Sequence, residues 1–305
     1  MRTAKPIYVE IRIGAPFDAL WRHTRDPHLH ERWDLRFTKI HYLPRPTDDE
    51  PQRFSYQTRI GLGIRVEGTG ESVGIHDADG QSSSALRFAS NDPKSLIEEG
   101  SGYWKYIETR GGICFLTLYD YKPRYGAVGA LVDRFLFRPL IGWATAWSFD
   151  RLRLWLERGV DPGLSALRSL GHAICRVTLA LIFLYQGIVP KLVLQHEDEL
   201  AMLRTSGLFD GREEAMLLAF GLGEVAFAVL LIALWRWRSL YIVTIVLLLA
   251  LGLGALMTMP SIYVAPFNPL TLSVGMISLA TLGWVCCRDL PSARRCLRRK
   301  PKEPI

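Results

Sequence analysis

Residues 219–237 read AFGLGEVAFAVLLIALWRW, and the one carboxylate in this apolar run, Glu224, is of a type and in a place that could do chemistry. An ionisable group at membrane depth is costly, and it persists where it pairs, relays protons or lines a site. Three more polar groups interrupt the neighbouring run RVTLALIFLYQGIVPKLVL: Arg176, Gln186 and Lys191. At 1.5 Å of rise per residue, Glu224 and Gln186 each lie roughly 12–13 Å below the same membrane face. The two are level. Lys191, one turn further out, either leans inward to pair with Glu224 or snorkels to the headgroups. Arg176 lies nearer the opposite face and is the poorer partner. Two readings stay open: a protonated Glu224 hydrogen-bonded to Gln186 that pins a helix bundle, or an intramembrane proton, quinone or thiol-compound site. The pairs Ala219/Gly223 and Ala250/Gly254 are spaced for close helix contact.

Elsewhere the chemistry is thin. His28, His30, Glu31 and Asp34 crowd into HLHERWD, but an i, i+2 histidine pair does not share a helix face, so no metal site is expected. The stretches GLGIRVEGTG and GTGESVG lack the following helix that a phosphate loop needs. Five cysteines, with no CxxC, read as small apolar residues of a reducing compartment. No catalytic constellation and no cofactor motif is identifiable, which favours a binding role over an enzymatic one. Tyr103, Trp104, Tyr119 and Tyr121 on strands, with Trp143 and Trp147 on a helix, are the candidates for lining an apolar cavity; the competing reading is ordinary core.

The elements that must position these residues divide in two. Residues 1–171 carry 24 Lys/Arg and 21 Asp/Glu, spread throughout, whereas most charges of residues 172–305 fall outside four apolar runs. Those runs, near 173–194, 215–236, 240–259 and 268–287, approach the roughly 20 residues a bilayer core requires. The turn holding Arg236 and Arg238, and a tail with seven Lys/Arg from Arg288 to Lys302, belong inside. The acidic connection 195–214 and the uncharged PSIYVAPFNP belong outside. Four spans then return both termini to the cytoplasm, and the amino terminus has no apolar signal region, so a multi-pass protein of the cytoplasmic membrane is expected. The tail reads as a basic flank on anionic lipid. A near-balanced first half offers no basic face for nucleic acid.

The first half begins with the alternating strand PIYVEIRI and a short helical stretch, then runs through RFTKIHYL, QRFSYQTRI, GIRVEGTGESV, ALRFAS, GYWKYIETR and ICFLTLYDY. Residues 127–158 form a long aromatic helix interrupted at Pro139. That order is an α+β helix-grip, in which one long helix lies across a curved antiparallel sheet. The mixture of Trp and Arg on this helix suits a membrane interface as well as a core. The organisation expected is a cytoplasmic domain at 1–158, a linker at 159–171, an all-α four-span bundle at 172–290 and a basic cytoplasmic tail at 291–305.

Two resemblances sharpen this reading. RVTLALIFLYQGIVPKL, HEDELAML and GLGEVAF resemble the DoxX-like family of four-helix membrane proteins, at Arg176, Gly187, Pro190, Lys191, Glu199, Gly223 and Glu224. Relatives are associated with quinone-linked sulfur oxidation and with thiol homeostasis, although this chain lacks a CxxC. IRIGAPFDALWRHTRDPHLHERW, with the closing FDRLRLWLE, resembles the START-like (SRPBCC) superfamily over roughly 5–158. Its members hold lipids, sterols, polyketides or isoprenoid quinones, and some are cyclases. The resemblances imply a membrane-tethered protein that exchanges an apolar ligand, lipid or quinone, with the bilayer. The alternative they imply is a subunit of a quinone-linked membrane redox complex with its site at Glu224. The expected partners are the bilayer, an apolar small molecule and, in the alternative, a membrane redox protein.

Overall fold

The computed structural model describes residues 5–45, 47, 50–61, 63–78, 81–266 and 268–301; Phe267 of the PSIYVAPFNP connection and Lys302 of the tail lie outside them. The chain forms two compact units, Met1–Ser165 with Pro291–Ile305, and Ala166–Leu290.

The first unit is built on a seven-stranded antiparallel sheet. The strands are β1 (Ile7–Ile13), β2 (Lys39–Tyr42), β3 (Arg53–Gly61), β4 (Ile64–Ala78), β5 (Gln81–Ala89), β6 (Ile97–Thr109) and β7 (Gly112–Pro123). Their order is β1-β7-β6-β5-β4-β3-β2, a meander whose last strand closes back on the first. Helices α1 (Phe17–Arg25) and α2 (Pro27–Trp33) follow β1, and α3 (Gly126–Val132) follows β7. A π-helical turn, Asp133–Phe137, joins α3 to the long α4, Arg138–Arg158. This is the helix-grip that the strand pattern predicts. The interruption foreseen at Pro139 falls just before it, because proline lacks the N–H that an unbroken α-helix would use.

Strand alternation decides which side chains face α4. Ile7, Val9, Ile11 and Ile13 of β1 pair with Tyr119, Thr117, Phe115 and Ile113 of β7, and this set shares one face. With Phe149 and Leu152 of α4 it forms the core. Four glycines share the same concave face. A Cβ on Gly68 would lie 2.4 Å from the ring of Tyr56, on Gly70 2.4 Å from Phe54, on Gly100 2.5 Å from Phe88, and on Gly102 2.4 Å from Cβ of Tyr119. Their missing side chains let the rings lie against the sheet.

The carboxyl-terminal segment belongs to this unit. Glu10 and Leu297 exchange two backbone hydrogen bonds of 2.9 Å, which extends the free edge of β1. Ala293 and Cys296 enter the core. The buried Asp150 accepts from Ser292 N at 2.7 Å, Arg295 Nη1 at 3.1 Å and Arg153 Nε at 2.7 Å. The tail expected to lie on lipid is thus docked from Pro291 to Leu297, because an unpaired strand edge and a buried carboxylate both need partners.

The second unit holds α5 (Pro162–Gln186) from Ala166 onward, α6 (Glu197–Ser206), α7 (Glu213–Ala233), α8 (Ser239–Thr258) and α9 (Pro269–Cys286), with a π-helical segment, Gly187–Val193, extending α5. Pro162–Val193, α7, α8 and α9 are long and apolar enough to cross a membrane. The expected linker at 159–171 is helical from Pro162 onward, since Asp161 Oδ1 caps the start through Gly163 N at 2.7 Å and Leu164 N at 3.3 Å. Leu179, Phe183, Leu231, Tyr241 and Ala280 make the bundle core.

Candidate functional site

The bundle places Lys191 at the centre of an ionic cluster. Pro190 cannot donate to an α-helical ladder, and the chain widens into the π-helical turn in which Lys191 is buried. Its Nζ lies 3.2 Å from Glu224 Oε2 on α7 and 3.2 Å from Glu199 Oε1 on α6, with the backbone oxygen of Gln186 at 3.5 Å. Glu224 Oε2 makes no aligned hydrogen bond and is held by the ion-pair contact. Two carboxylates therefore share one ammonium. The spacing leaves two partners open for Glu224, a level Gln186 or a Lys191 leaning inward. Lys191 takes that place, and Gln186 contributes its carbonyl.

Gly187 makes the approach of the two helices possible. A Cβ there would meet Gly221 O at 2.6 Å, and one on Gly221 would meet Leu192 Cγ at 2.9 Å. The spacing pairs Ala219/Gly223 and Ala250/Gly254 are exposed instead, and Gly223 and Gly254 have nothing within 4 Å. Small residues on a helix do not say which face meets a neighbour.

Arg176 does not join this cluster. It is fully buried, and its Nε donates to Leu231 O at 2.7 Å while Nη2 donates to Leu234 O at 2.7 Å and Trp237 O at 3.2 Å. These carbonyls lie at and beyond the end of α7, where Leu234 O and Trp237 O each accept only a turn hydrogen bond, from Trp237 N at 2.9 Å and Leu240 N at 3.3 Å, and a cation is the natural cap there. Its guanidinium lies 4.7 Å from the Tyr241 ring centroid. The Tyr241 hydroxyl is 3.0 Å from His172 Nδ1, and His172 Nε2 is 2.9 Å from Trp235 O. A carbonyl only accepts, so Nε2 carries the proton and Nδ1 accepts from Tyr241. Gly283 leaves room for that ring, since a Cβ would lie 2.4 Å from it. Sequence reasoning missed His172 and Tyr241, although His172 sits one turn before Arg176 on the same face.

In the first unit a buried polar cluster sits among aromatic rings. Asp34 accepts from His30 Nε2 at 3.1 Å, from Arg36 N at 3.0 Å and from Arg36 Nη2 at 2.6 Å. Burial opposes ionisation of Asp34, but Arg36 and His30 outweigh it and hold its carboxyl well below the usual range. His30 stacks on Trp33 at 4.9 Å and meets Phe37 and Trp104 edge-on at 5.2 and 5.1 Å. The row continues through Tyr56, Phe54 and Tyr42, with centroids 5.4–6.4 Å apart. His28 is exposed while His30 is buried, so the two histidines do not converge. Burial pushes the thiols of Cys114 and Cys296 up to about 12, which suits packing residues rather than reactive ones.

An open groove of about 860 Å³ crosses β3 to β7, with Phe54, Gly70, Phe88, Gly100 and Tyr121 in its lining. Of the predicted cavity residues, Tyr121 lines it. Trp104 and Tyr119 lie on the same concave face within the core, and Trp147 packs half-buried against that core. Tyr103 pairs with Leu118 one position away from the Trp104–Thr117 pair, so it faces the opposite side of the sheet and lines no concave cavity. Trp143 is 43 % exposed and points outward from α4. The Tyr121 hydroxyl donates to Asp133 Oδ1 at 2.5 Å, and Arg138 Nε binds Asp133 Oδ2 at 2.8 Å, which ties the π-helical turn to β7.

A helix-grip followed in the chain by four helices long and apolar enough to cross a membrane defines a membrane protein of two units. Residues 180–281 match the DoxX-like family. The uncharacterized membrane protein YndG of Bacillus subtilis (strain 168) is 49 % identical over 185 residues, 60 % of this chain and 69 % of that protein. The chain belongs to that protein's family, and its membrane half is a DoxX-like domain. Among solved structures, a Thermus thermophilus protein aligns at 15 % identity and TM-score 0.38, over 49 % of this chain and 97 % of its own. A STAR-related lipid transfer protein from Xanthomonas axonopodis aligns at 16 % identity and TM-score 0.38, over 52 % and 97 %.

Proposed function

We propose that this protein is a membrane-tethered carrier or sensor whose helix-grip holds an apolar ligand, a lipid or isoprenoid quinone, exchanged with the bilayer. The observation that carries this reading is the open groove of about 860 Å³, which lies in the usual size range of ligand pockets and sets Phe54, Phe88, Tyr121 and two glycines among the charged Arg53, Glu71, Arg87, Glu99, Asp120 and Lys122, an apolar floor with a polar rim. The core gathers on β1, β6 and β7 under α4, while Phe54, Tyr56 and Phe88 stay only partly buried. Large aromatic surface left part-open, in a chain that also carries membrane spans, suits a hydrophobic cargo. We place both chain flanks in the cytoplasm, since the basic turn at Arg236 and Arg238 fits that side. The packing of Pro291–Leu297 into the same unit as β1 also fits an even number of crossings.

The second reading, a quinone-linked redox subunit, is favoured by one observation: the buried Lys191 shared between Glu199 and Glu224. One experiment separates the two. Organic extracts of purified full-length protein are analysed by mass spectrometry beside Phe54→Ala/Phe88→Ala and Glu224→Gln. Loss of a stoichiometric lipid or quinone from the groove variant alone supports the carrier. Loss from Glu224→Gln alone moves the site into the membrane.

A further inference from the structure

The helical run from Gly126 to Trp143 presents its apolar residues to the outside. Val128, Leu131, Val132, Phe135, Leu136, Leu140 and Trp143 are all exposed, and Val128 and Phe135 each reach 70 %. Their spacing is that of one helix face. The inward positions are Gly129, Asp133, Gly142 and Thr145, all buried. The π-helical turn at Asp133–Phe137 absorbs an extra residue and rotates α4 so that Leu140 and Trp143 stay in line with Val128 and Leu131. A soluble helix would place polar residues there.

We infer that this stripe is a bilayer-docking surface, which inserts Val128, Leu131, Phe135, Leu136 and Trp143 into the boundary between headgroups and acyl chains. Lipid is the occupant because the same chain enters a membrane soon afterwards: α4 ends at Arg158 and the first span begins at Pro162. The charge on the stripe points the same way. Arg134 is its exposed polar side chain and lies against Phe135, while the acid in the run, Asp133, is buried and paired with Arg138. An apolar face with Trp and an exposed Arg matches an anionic membrane interface. The inference does not depend on whether the groove holds a ligand.

The test uses full-length protein in nanodiscs of phosphatidylglycerol and phosphatidylethanolamine. Cys286 and Cys287 are replaced by Ser, the other three native cysteines being buried, and a nitroxide label is placed at Phe135→Cys or, for comparison, at the exposed Ile60→Cys. Docking predicts that oxygen relaxes the label at 135 several-fold more than a water-soluble nickel chelate does, with the opposite order at 60. Adding Leu131→Glu with Leu136→Glu, both exposed and so compatible with folding, should bring the label at 135 back to the chelate. Equal access of the chelate at 135 and 60 overturns the proposal. An immobilised label at 135 that neither reagent reaches also overturns it, by showing a protein partner or second copy on the stripe.

Discussion

Lys191 is the cation that two carboxylates of the bundle share. With Nζ 3.2 Å from both Glu199 and Glu224, its removal takes the ammonium from two partly buried carboxylates. Lys191→Met should therefore destabilise the bundle by about 3–5 kcal/mol. Glu224→Gln, which leaves Glu199 on the ammonium, should cost about 1–3 kcal/mol. Thermal unfolding in detergent compares them, and equal losses would mean that sharing is not what holds the cluster. Asp34 makes the complementary case in the first unit. Its folded pKa is depressed below 3.8, so its contribution is fully present above that pH and is lost as pH falls toward the folded value. Urea unfolding followed by tryptophan fluorescence at pH 6 and pH 3 should show a larger loss for the native chain than for Asp34→Asn. The opposite order would remove Asp34 from the account.

At the scale of elements, two π-helical turns set the geometry that an uninterrupted helix would not. Gly187–Val193 turns Lys191 inward, and Asp133–Phe137 aligns the stripe on α3 and α4. The crossing of the first two spans depends on Gly187 and Gly221, whose missing side chains admit Gly221 O and Leu192. Gly187→Val should separate the helices and lower the melting temperature by several degrees, whereas Gly223→Leu and Gly254→Leu, with nothing within 4 Å, should be near neutral. Melting of the four proteins in one detergent checks this. The strands were legible from alternation, and the four spans from length and composition. The π-helical turns were not, because proline announces an interruption without saying how the chain accommodates it.

For the whole molecule, the sheet unit is assembled from both ends of the chain. Pro291–Leu297 supplies an edge pair to Glu10, core side chains and two partners for Asp150, so the unit is complete only after the last span has been made. Deleting residues 291–305 should loosen this unit selectively. Limited proteolysis should then cut within residues 5–165 at a rate several-fold above that of the full chain, with the spans protected. An unchanged digest would show that the docked segment adds no stability. Nothing in the sequence beyond a Cys and an Ala among arginines marked this segment, since a strand edge accepts almost any backbone.

The sequence by itself determined the division into a charged half and an apolar half, the strand order, the long aromatic helix, the four spans and the cost of Glu224. These rest on local quantities: periodicity, run length and turn residues. It also contained the answer for Tyr103, because adjacent strand residues face opposite ways. Only the tertiary structure decided that Lys191 rather than Gln186 meets Glu224, that Arg176 caps the end of α7, and that the basic tail closes the sheet. It likewise decided that Val128 to Trp143 face outward. A buried polar group must be satisfied, but which partner satisfies it depends on chain that returns from far away, and no local pattern records that return.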